Sequence, residues 1–210
     1  MRHLSLADRV ISQLDTSLRA MTSSTGRRPG FSYQSSDTEL SEQQRAKSAS
    51  LMRVNHCGEV CAQALYHGQA LTARDEKTRA HLLRAAEEEA QHLGWCQSRL
   101  DELNDHASHL NPLWYASSFS IGAVTGLLGN SINLGFVAAT EEEVCKHIDR
   151  HIQEVPEQDL RSREILSAMR ADELRHQSDA LDQGGRVFPT WVKSLMALSS
   201  KAMTLSTRVL

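Results

Sequence analysis

The sequence predicts an all-α chain, and three observations predict it. Aromatic residues make up only 5% of the 210 positions, while Ala, Leu, Glu, Gln and Arg, all strong helix formers, are plentiful. Apolar residues recur at helical spacing along most of the chain. Four carboxylates and two histidines fall on those apolar stripes in a repeated order, Glu59 before Glu89-Ala-Gln-His92 and Glu141 before Glu173-Leu-Arg-His176.

The repeat carries chemistry because of helical geometry. Residues i and i+3 share one helix face, with Cβ atoms about 5–6 Å apart. Glu89 and His92 can therefore serve one ion, as can Glu173 and His176. A single E-x-x-H is usually a solvated face. Here both copies lie on apolar stripes, and each follows an inward Glu about one helical hairpin upstream. Charges are rarely buried unpaired, so such interruptions need a counter-charge. Four carboxylates and two imidazoles are the ligand set of a ferritin-like four-helix bundle with a di-iron carboxylate site, or its di-manganese equivalent. Oxygen and imidazole donors suit divalent iron or manganese, whereas an all-thiolate set would favour zinc or a cluster.

Each element follows from the pattern. His3 to Ala20 reads as an amphipathic helix, giving residues 1–21 as an N-terminal appendage, and Thr22 to Asp37 as a polar linker with Gly and Pro, closing at 38. The bundle domain is expected over 39–210. Helix A spans about Glu39–Arg74, with Met52, Asn55, Glu59, Ala62 and Tyr66 inward. Helix B spans about Glu76–Asn104, with Leu82, Ala85, Glu89, His92, Cys96, Leu100 and Leu103 inward. A loop runs from Asp105 to Pro112. Helix C, apolar and interrupted by glycines, spans about Leu113–Val155, and Pro156 ends it. Helix D spans about Glu157–Gln183, with Leu166, Met169, Glu173, His176 and Ala180 on one face, and Gly184-Gly185 stops it. An accessory C-terminal amphipathic helix covers about Pro189–Arg208. Within the run Glu141-Glu142-Glu143, only Glu141 continues the stripe of Leu134, Val137, Val144, Ile148, Ile152 and Val155. Glu142 and Glu143, like Glu87, read as solvated or as groups behind the ligands rather than as ligands. Tyr66, two turns beyond Glu59, reads as core.

Composition excludes several classes. Net charge is −3 and no Lys/Arg block stands out, so nucleic acid is not an expected partner. Cys57, Cys61, Cys96 and Cys145 form no C-x-x-C pair and read as buried free thiols. The first twenty residues lack the uninterrupted apolar core of a signal peptide. Asn111 to Thr140 carries no charge, long enough for a bilayer span. However, it is broken by Gly, Asn and Ser and leads directly into Glu141. It reads instead as a broken, partly exposed helix lining an apolar channel and touching a membrane face. The last helix, with Trp191, Leu195, Met196 and Leu205 beside Lys193, Lys201 and Arg208, suits an anionic membrane surface or packing on the bundle.

The segment Arg53-Val-Asn-His-Cys-Gly-Glu59 resembles the R-V-N-H-x-G-E signature of the 3-demethoxyubiquinol 3-hydroxylases. The segments ending in His92, Thr140-Glu-Glu-Glu-Val-Cys-Lys-His147 and Asp172-Glu-Leu-Arg-His176 are similar to that family's other motifs, in the same order. The resemblance covers about Glu39 to Leu210, and the N-terminal part is similar to that of bacterial members. It implies two iron ions (Fe2+) on Glu59, Glu89, His92, Glu141, Glu173 and His176, which are then the catalytic set. It implies hydroxylation of a polyprenyl demethoxyubiquinol ring with O2, NADH-derived electrons, and a peripheral place on the cytoplasmic side of the cell (inner) membrane. Other ubiquinone-biosynthesis proteins are expected nearby, and a homo-oligomer through helix C is compatible with the pattern. No nucleotide-binding glycine fingerprint is present, so no built-in NADH domain is expected.

Beyond the ligands, the repeated acid-Glu-x-x-His pattern places Asp172 to orient His92 and Glu88 to orient His176 across the bundle. His147 is expected near the site, with a substrate or proton role. Asn55 and His56 read either as near-site polar groups or as helix-packing groups. Two other readings compete: a ferritin-like di-metal oxidase or peroxidase, and a non-catalytic quinone-binding scaffold. The uncharged helix C argues against the first. The buried carboxylates, costly without a metal, argue against the second.

Overall fold

The structure is a computed structural model, and it describes residues 30–36 and 39–208. The expected N-terminal helix and most of the linker lie outside these residues. Among the described residues the regular structure is six α-helices. They are α1 (Glu42–Thr72), α2 (Glu76–Glu102), α3 (Asn111–Leu127), α4 (Asn130–Glu154), α5 (Leu160–Asp182) and α6 (Thr190–Thr207).

Capping residues set most of the boundaries. Ser41 and Gln44 form a capping box at the start of α1, and Asp75 and Asp159 accept backbone N–H groups at the starts of α2 and α5. The Asp159 cap delays α5, so the Glu157 start is corrected to Leu160. The expected helix C is two helices. Gly129 has φ 105°, a left-handed conformation that an L side chain rarely adopts, and it ends one rod and begins the next. Arg74 reaches across to donate to the Leu127 carbonyl at 2.7 Å, satisfying the C-terminus of α3.

Long-range contacts give the topology. Gln63 reaches Glu89 and Arg79 reaches Ala70, so α1 and α2 are antiparallel. Asp149 pairs with Arg170, so α4 and α5 are antiparallel too. The helix α3 runs parallel to α1 along its outer side, His56 meeting Asn111 and Thr72 meeting Ala123. Two antiparallel hairpins are thus joined by one long crossover, the connectivity of ferritin-like bundles. The crossover lies unusually close to α1. A Cβ on Gly122 would strike the Leu65 carbonyl, and one on Gly68 would strike the Phe119 carbonyl.

The four bundle helices bury the stripes the sequence marks. One apolar layer gathers Met52, Cys96, Leu100, Ile148, Leu166 and Met169. Another gathers Tyr66, Leu82, Ala85, Val137 and Ala180. Burying one large apolar side chain contributes about 1.5–3 kcal/mol, and these two layers hold the bundle. Between them lies the polar layer of Glu and His. The segment 30–36, irregular as its composition suggests, is nonetheless fixed: the Gln34 and Ser35 N–H groups each donate to the Glu164 carboxylate at 2.9 Å, and Phe31 packs edge-on to Trp95.

Candidate metal centre

Each bundle helix delivers its side chain to the polar layer because it stands one or two turns from buried apolar residues on the same stripe. Glu59, Glu89, His92, Glu141, Glu173 and His176 are all buried. Two groups form, each with one donor atom per residue and all donors within 4.8 Å: Glu59, Glu89, His92 and Glu173, and Glu89, Glu141, Glu173 and His176. Glu89 and Glu173 belong to both. They lie between Glu59 and His92 at one end and Glu141 and His176 at the other.

The imidazoles face inward through Nδ1. His92 Nδ1 lies 3.1 Å from Glu89, 3.2 Å from Glu173 and 3.7 Å from Glu59. His176 Nδ1 lies 3.1 Å from both Glu173 and Glu89. The opposite nitrogens meet carboxylates across the bundle. His92 Nε2 donates to Asp172 at 3.1 Å, and His176 Nε2 donates to Glu88 at 2.9 Å. Sequence reasoning missed Arg175, which donates to both Asp172 and Glu88 at 2.7 Å and so ties the two outer carboxylates together. Its own exposed position hid it among solvated charges.

Tyr66 takes the core position expected of it and adds a contact the sequence did not show. It is fully buried, and its hydroxyl donates to Glu141 Oε1. The core position was right, but the phenol also serves the site. Its inward stripe was the available signal, since a buried Tyr O–H needs a partner.

Electrostatics show a strained carboxylate cluster. Burial holds the carboxyls of Glu59 and Glu141 well above the usual range. Against its own burial, Glu89 is held well below that range by His176 and His92. Burial alone would depress His176, but contacts with Glu173 and Glu89 lift it to about 12. His92 is raised in the same sense by Asp172, Glu173, Glu59 and Glu89. Without a metal, protons on the inward nitrogens partly offset the carboxylates. Metal binding must displace them.

The residues fit a pair of divalent cations. Glu59 Oε2, Glu89 Oε1 and Glu173 Oε1 are shielded from solvent and converge with the two inward Nδ1 atoms on one space, and none of the three makes a well-aligned hydrogen bond. Four carboxylates buried together need more positive charge than two imidazoles supply, and a pair of cations between them supplies it. Four carboxylates also balance the charge of two divalent ions.

A narrow cavity of about 50 Å³ adjoins the cluster on its α1–α4 side. Glu59, Glu89, Glu141 and Glu173 form its floor, Asn55, Gly58, Ala62, Val144 and His147 its walls, and Ser200, Met203 and Thr204 of α6 its cover. The His147 ring lies 3.9 Å from that of His151, whose Nδ1 accepts from Asn55 at 2.8 Å. Burial pushes His147 down to about 4, so it faces the cavity as a neutral imidazole. His56 lies elsewhere, against Asn111 of α3. Glu142 pairs with Lys146 and Lys193, and Glu143 lies near Lys146, both outside the cluster. The four cysteines are free thiols, with Cys61 only half-buried.

The chain that builds this cluster matches a known family. The family model for the ubiquinone biosynthesis protein COQ7 covers residues 46–207. The chain belongs to the COQ7 family. Similar proteins extend the match across almost the whole length. A protein of Pseudomonas putida (strain GB-1) is 50% identical over 98% of this chain and 97% of its own. One of Azotobacter vinelandii (strain DJ / ATCC BAA-1303) is 50% identical with the same coverage, and one of Pseudomonas aeruginosa (strain LESB58) is 49% identical. All three are named 3-demethoxyubiquinol 3-hydroxylase. The segment Arg53-Val-Asn-His-Cys-Gly-Glu59 lies within the matched residues and sits on α1, where Asn55, Gly58 and Glu59 line the cavity and Arg53 pairs with both carboxylate oxygens of Asp105.

Proposed function

We propose that this chain is a 3-demethoxyubiquinol 3-hydroxylase that carries two iron ions and adds one oxygen atom from O2 to the ring of a polyprenylated quinol. The observation that supports this most strongly is the pair of donor groups sharing Glu89 and Glu173, set in a COQ7-family chain. Glu59, Glu89 and His92 with Glu173 would hold one ion, and Glu89, Glu141, Glu173 and His176 the other. When bound, two ferrous ions supply the electrons that reduce O2, and an outside reductant, ultimately NADH, restores them.

The chain's own side chains do the rest. Glu88 and Asp172 fix the imidazoles so that Nδ1 points inward. Tyr66 holds Glu141 by one oxygen, leaving the other for an ion. The apolar layers above and below exclude water. His147, neutral at the cavity wall, can accept a hydrogen bond from the quinol hydroxyl and so orient it. Leu113, Val124 and Leu127 of α3 and Trp191, Leu195 and Leu198 of α6 are 56–67% exposed, and such apolar surfaces suit a peripheral seat on the membrane that dissolves the prenyl tail. Among the described residues, no helix is long and apolar enough to cross a membrane.

The test is a turnover assay on anaerobically Fe(II)-loaded protein given O2, a reductant and a short-tailed demethoxyubiquinol, with mass spectrometry of the product. A gain of one oxygen, absent in Glu173→Ala, is expected. Bound iron and O2 consumption with an unchanged quinol would replace this reading with an oxidase or peroxidase.

A further inference from the structure

Gly58 is a glycine that the protein's own packing does not explain. It lies in the interior of α1, where glycine is less stable than alanine because its backbone loses more freedom on folding. It does not adopt positive φ, unlike Gly129 and Gly184. Nor does it permit a close approach. A Cβ on Gly68, Gly122 or Gly135 would strike the backbone of a neighbouring segment, but a Cβ on Gly58 would meet nothing within 4 Å. The space above it is instead part of the cavity floored by Glu59, Glu89, Glu141 and Glu173.

The two sides of that cavity differ in how far they can yield. The α1 side is backed by α3, whose backbone lies directly against that of α1 at Gly68, Gly122 and Gly126. The facing side is α6, which has Thr207 as its one buried residue and leaves Trp191, Leu195, Leu198 and Leu205 exposed. A cavity of about 50 Å³ holds one or two water molecules and not an aromatic ring. An entering ring must therefore displace α6 and lie against the wall that stays.

We infer that Gly58 is a specificity-determining residue: its bare backbone is the flat surface against which the substituted aromatic ring of the substrate lies, and its missing side chain sets the size of ring that reaches the carboxylate cluster. This rests on the reading of the cavity as the quinol site. A methyl group at position 58 would narrow the slot from the rigid side without disturbing the fold.

The experiment compares wild type with Gly58→Ala and Gly58→Ser, metal-loaded and anaerobic so that no turnover occurs. It measures metal content, thermal midpoint, and equilibrium binding of two short-tailed quinols, one bearing the full ring substituents and one lacking them. Gly58→Ala is expected to keep its metal and to melt a few degrees higher, about 2–4 °C, because helix propensity improves at a site with open space. It should bind the substituted quinol about 10- to 200-fold more weakly, with a smaller loss for the unsubstituted ring. Gly58→Ser should show the same selectivity change even if its helix is no more stable. A higher melting point with wild-type affinity for both quinols would overturn the inference and leave Gly58 a mere weak point in α1. Loss of metal with equal weakening of both quinols would also overturn it. Failure of the wild type to bind either quinol would remove the quinol-site reading itself.

Discussion

Asp172 and Glu88 stand behind the imidazoles of His92 and His176, and their removal separates a metal-tuning role from a structural one. Asp172 accepts from His92 Nε2 at 3.1 Å and Glu88 from His176 Nε2 at 2.9 Å, so each acts on a different end of the cluster. Loss of such an outer carboxylate lowers metal affinity about 10–100-fold, or about 1.4–2.7 kcal/mol. Both carboxylates are partly exposed, with side chains 27% and 41% accessible, so their direct contribution to folding through the ion pairs with Arg175 is small. The expected signature of Asp172→Ala is therefore selective. The metal-loaded protein should melt roughly 3–10 °C lower, while the metal-free protein moves by a degree or two. Glu88→Ala should do the same for the other ion, so calorimetric titration should show one weakened event of two in each variant. Arg175→Ala, which frees both carboxylates but leaves both imidazole contacts, should weaken the two events slightly and equally. Anaerobic titration with Fe(II) or Mn(II) and parallel thermal melts make the measurement. Equal falls in melting temperature with and without metal, or unchanged affinity, would refute the assignment.

Other consequences are direct. Tyr66→Phe removes the donor to buried Glu141 and should weaken metal binding about tenfold while preserving the fold, read by the same titration. Arg99 is buried and pairs with buried Asp159 at 2.8 Å while also holding Ser162, so Arg99→Ala should cost about 3–5 kcal/mol in denaturant unfolding. Gly122→Ala places a methyl on the Leu65 carbonyl and should destabilise by about 1–3 kcal/mol, opposite in sign to Gly58→Ala. Burial lowers His67 to about 4 and His151 to about 2, and His151 must stay neutral at Nδ1 to accept from Asn55. Both folded values lie below the unfolded value of about 6.5, so the unfolded chain takes up protons first and stability falls as pH drops below that value. Each histidine should remove about 2 kcal/mol between pH 6.5 and 5, and His151→Gln should flatten the slope by one proton's worth.

The buried cluster of carboxylates and histidines was legible because burying a carboxylate leaves a mark. Glu59, Glu89, Glu141 and Glu173 interrupt apolar stripes, and such interruptions are rare unless something compensates them. The bundle helices were legible for the same reason, through Leu82, Leu100, Ile148, Leu166 and Met169, all fully buried. Three features left weaker marks. Tyr66 sits in an apolar stripe, which shows that its hydroxyl needs a partner but not that the partner is Glu141. Arg175 is half-exposed and indistinguishable from any solvated charge until its two partners are placed. The break at Gly129 lies among several glycines, and only the positive φ singles it out from Gly122 and Gly126, which serve packing. The segment 30–36 is held by backbone N–H groups, which no side-chain pattern records.

The run Glu141-Glu142-Glu143 on α4 has a bearing on which changes the chain can survive. Each residue advances a helix by about 100°, so deleting one position between Gly129 and Glu141 would swing Glu142 into the place that Glu141 holds. The carboxylate slot would be refilled. The same shift would carry Asp149 and Gln153 into the positions of Ile148 and Ile152, inside the apolar layer. The acid is therefore replaceable from within its own neighbourhood, while the reading frame of the helix is not. Residue count between Gly129 and the end of α4 is the invariant, more than the identity of any one residue there.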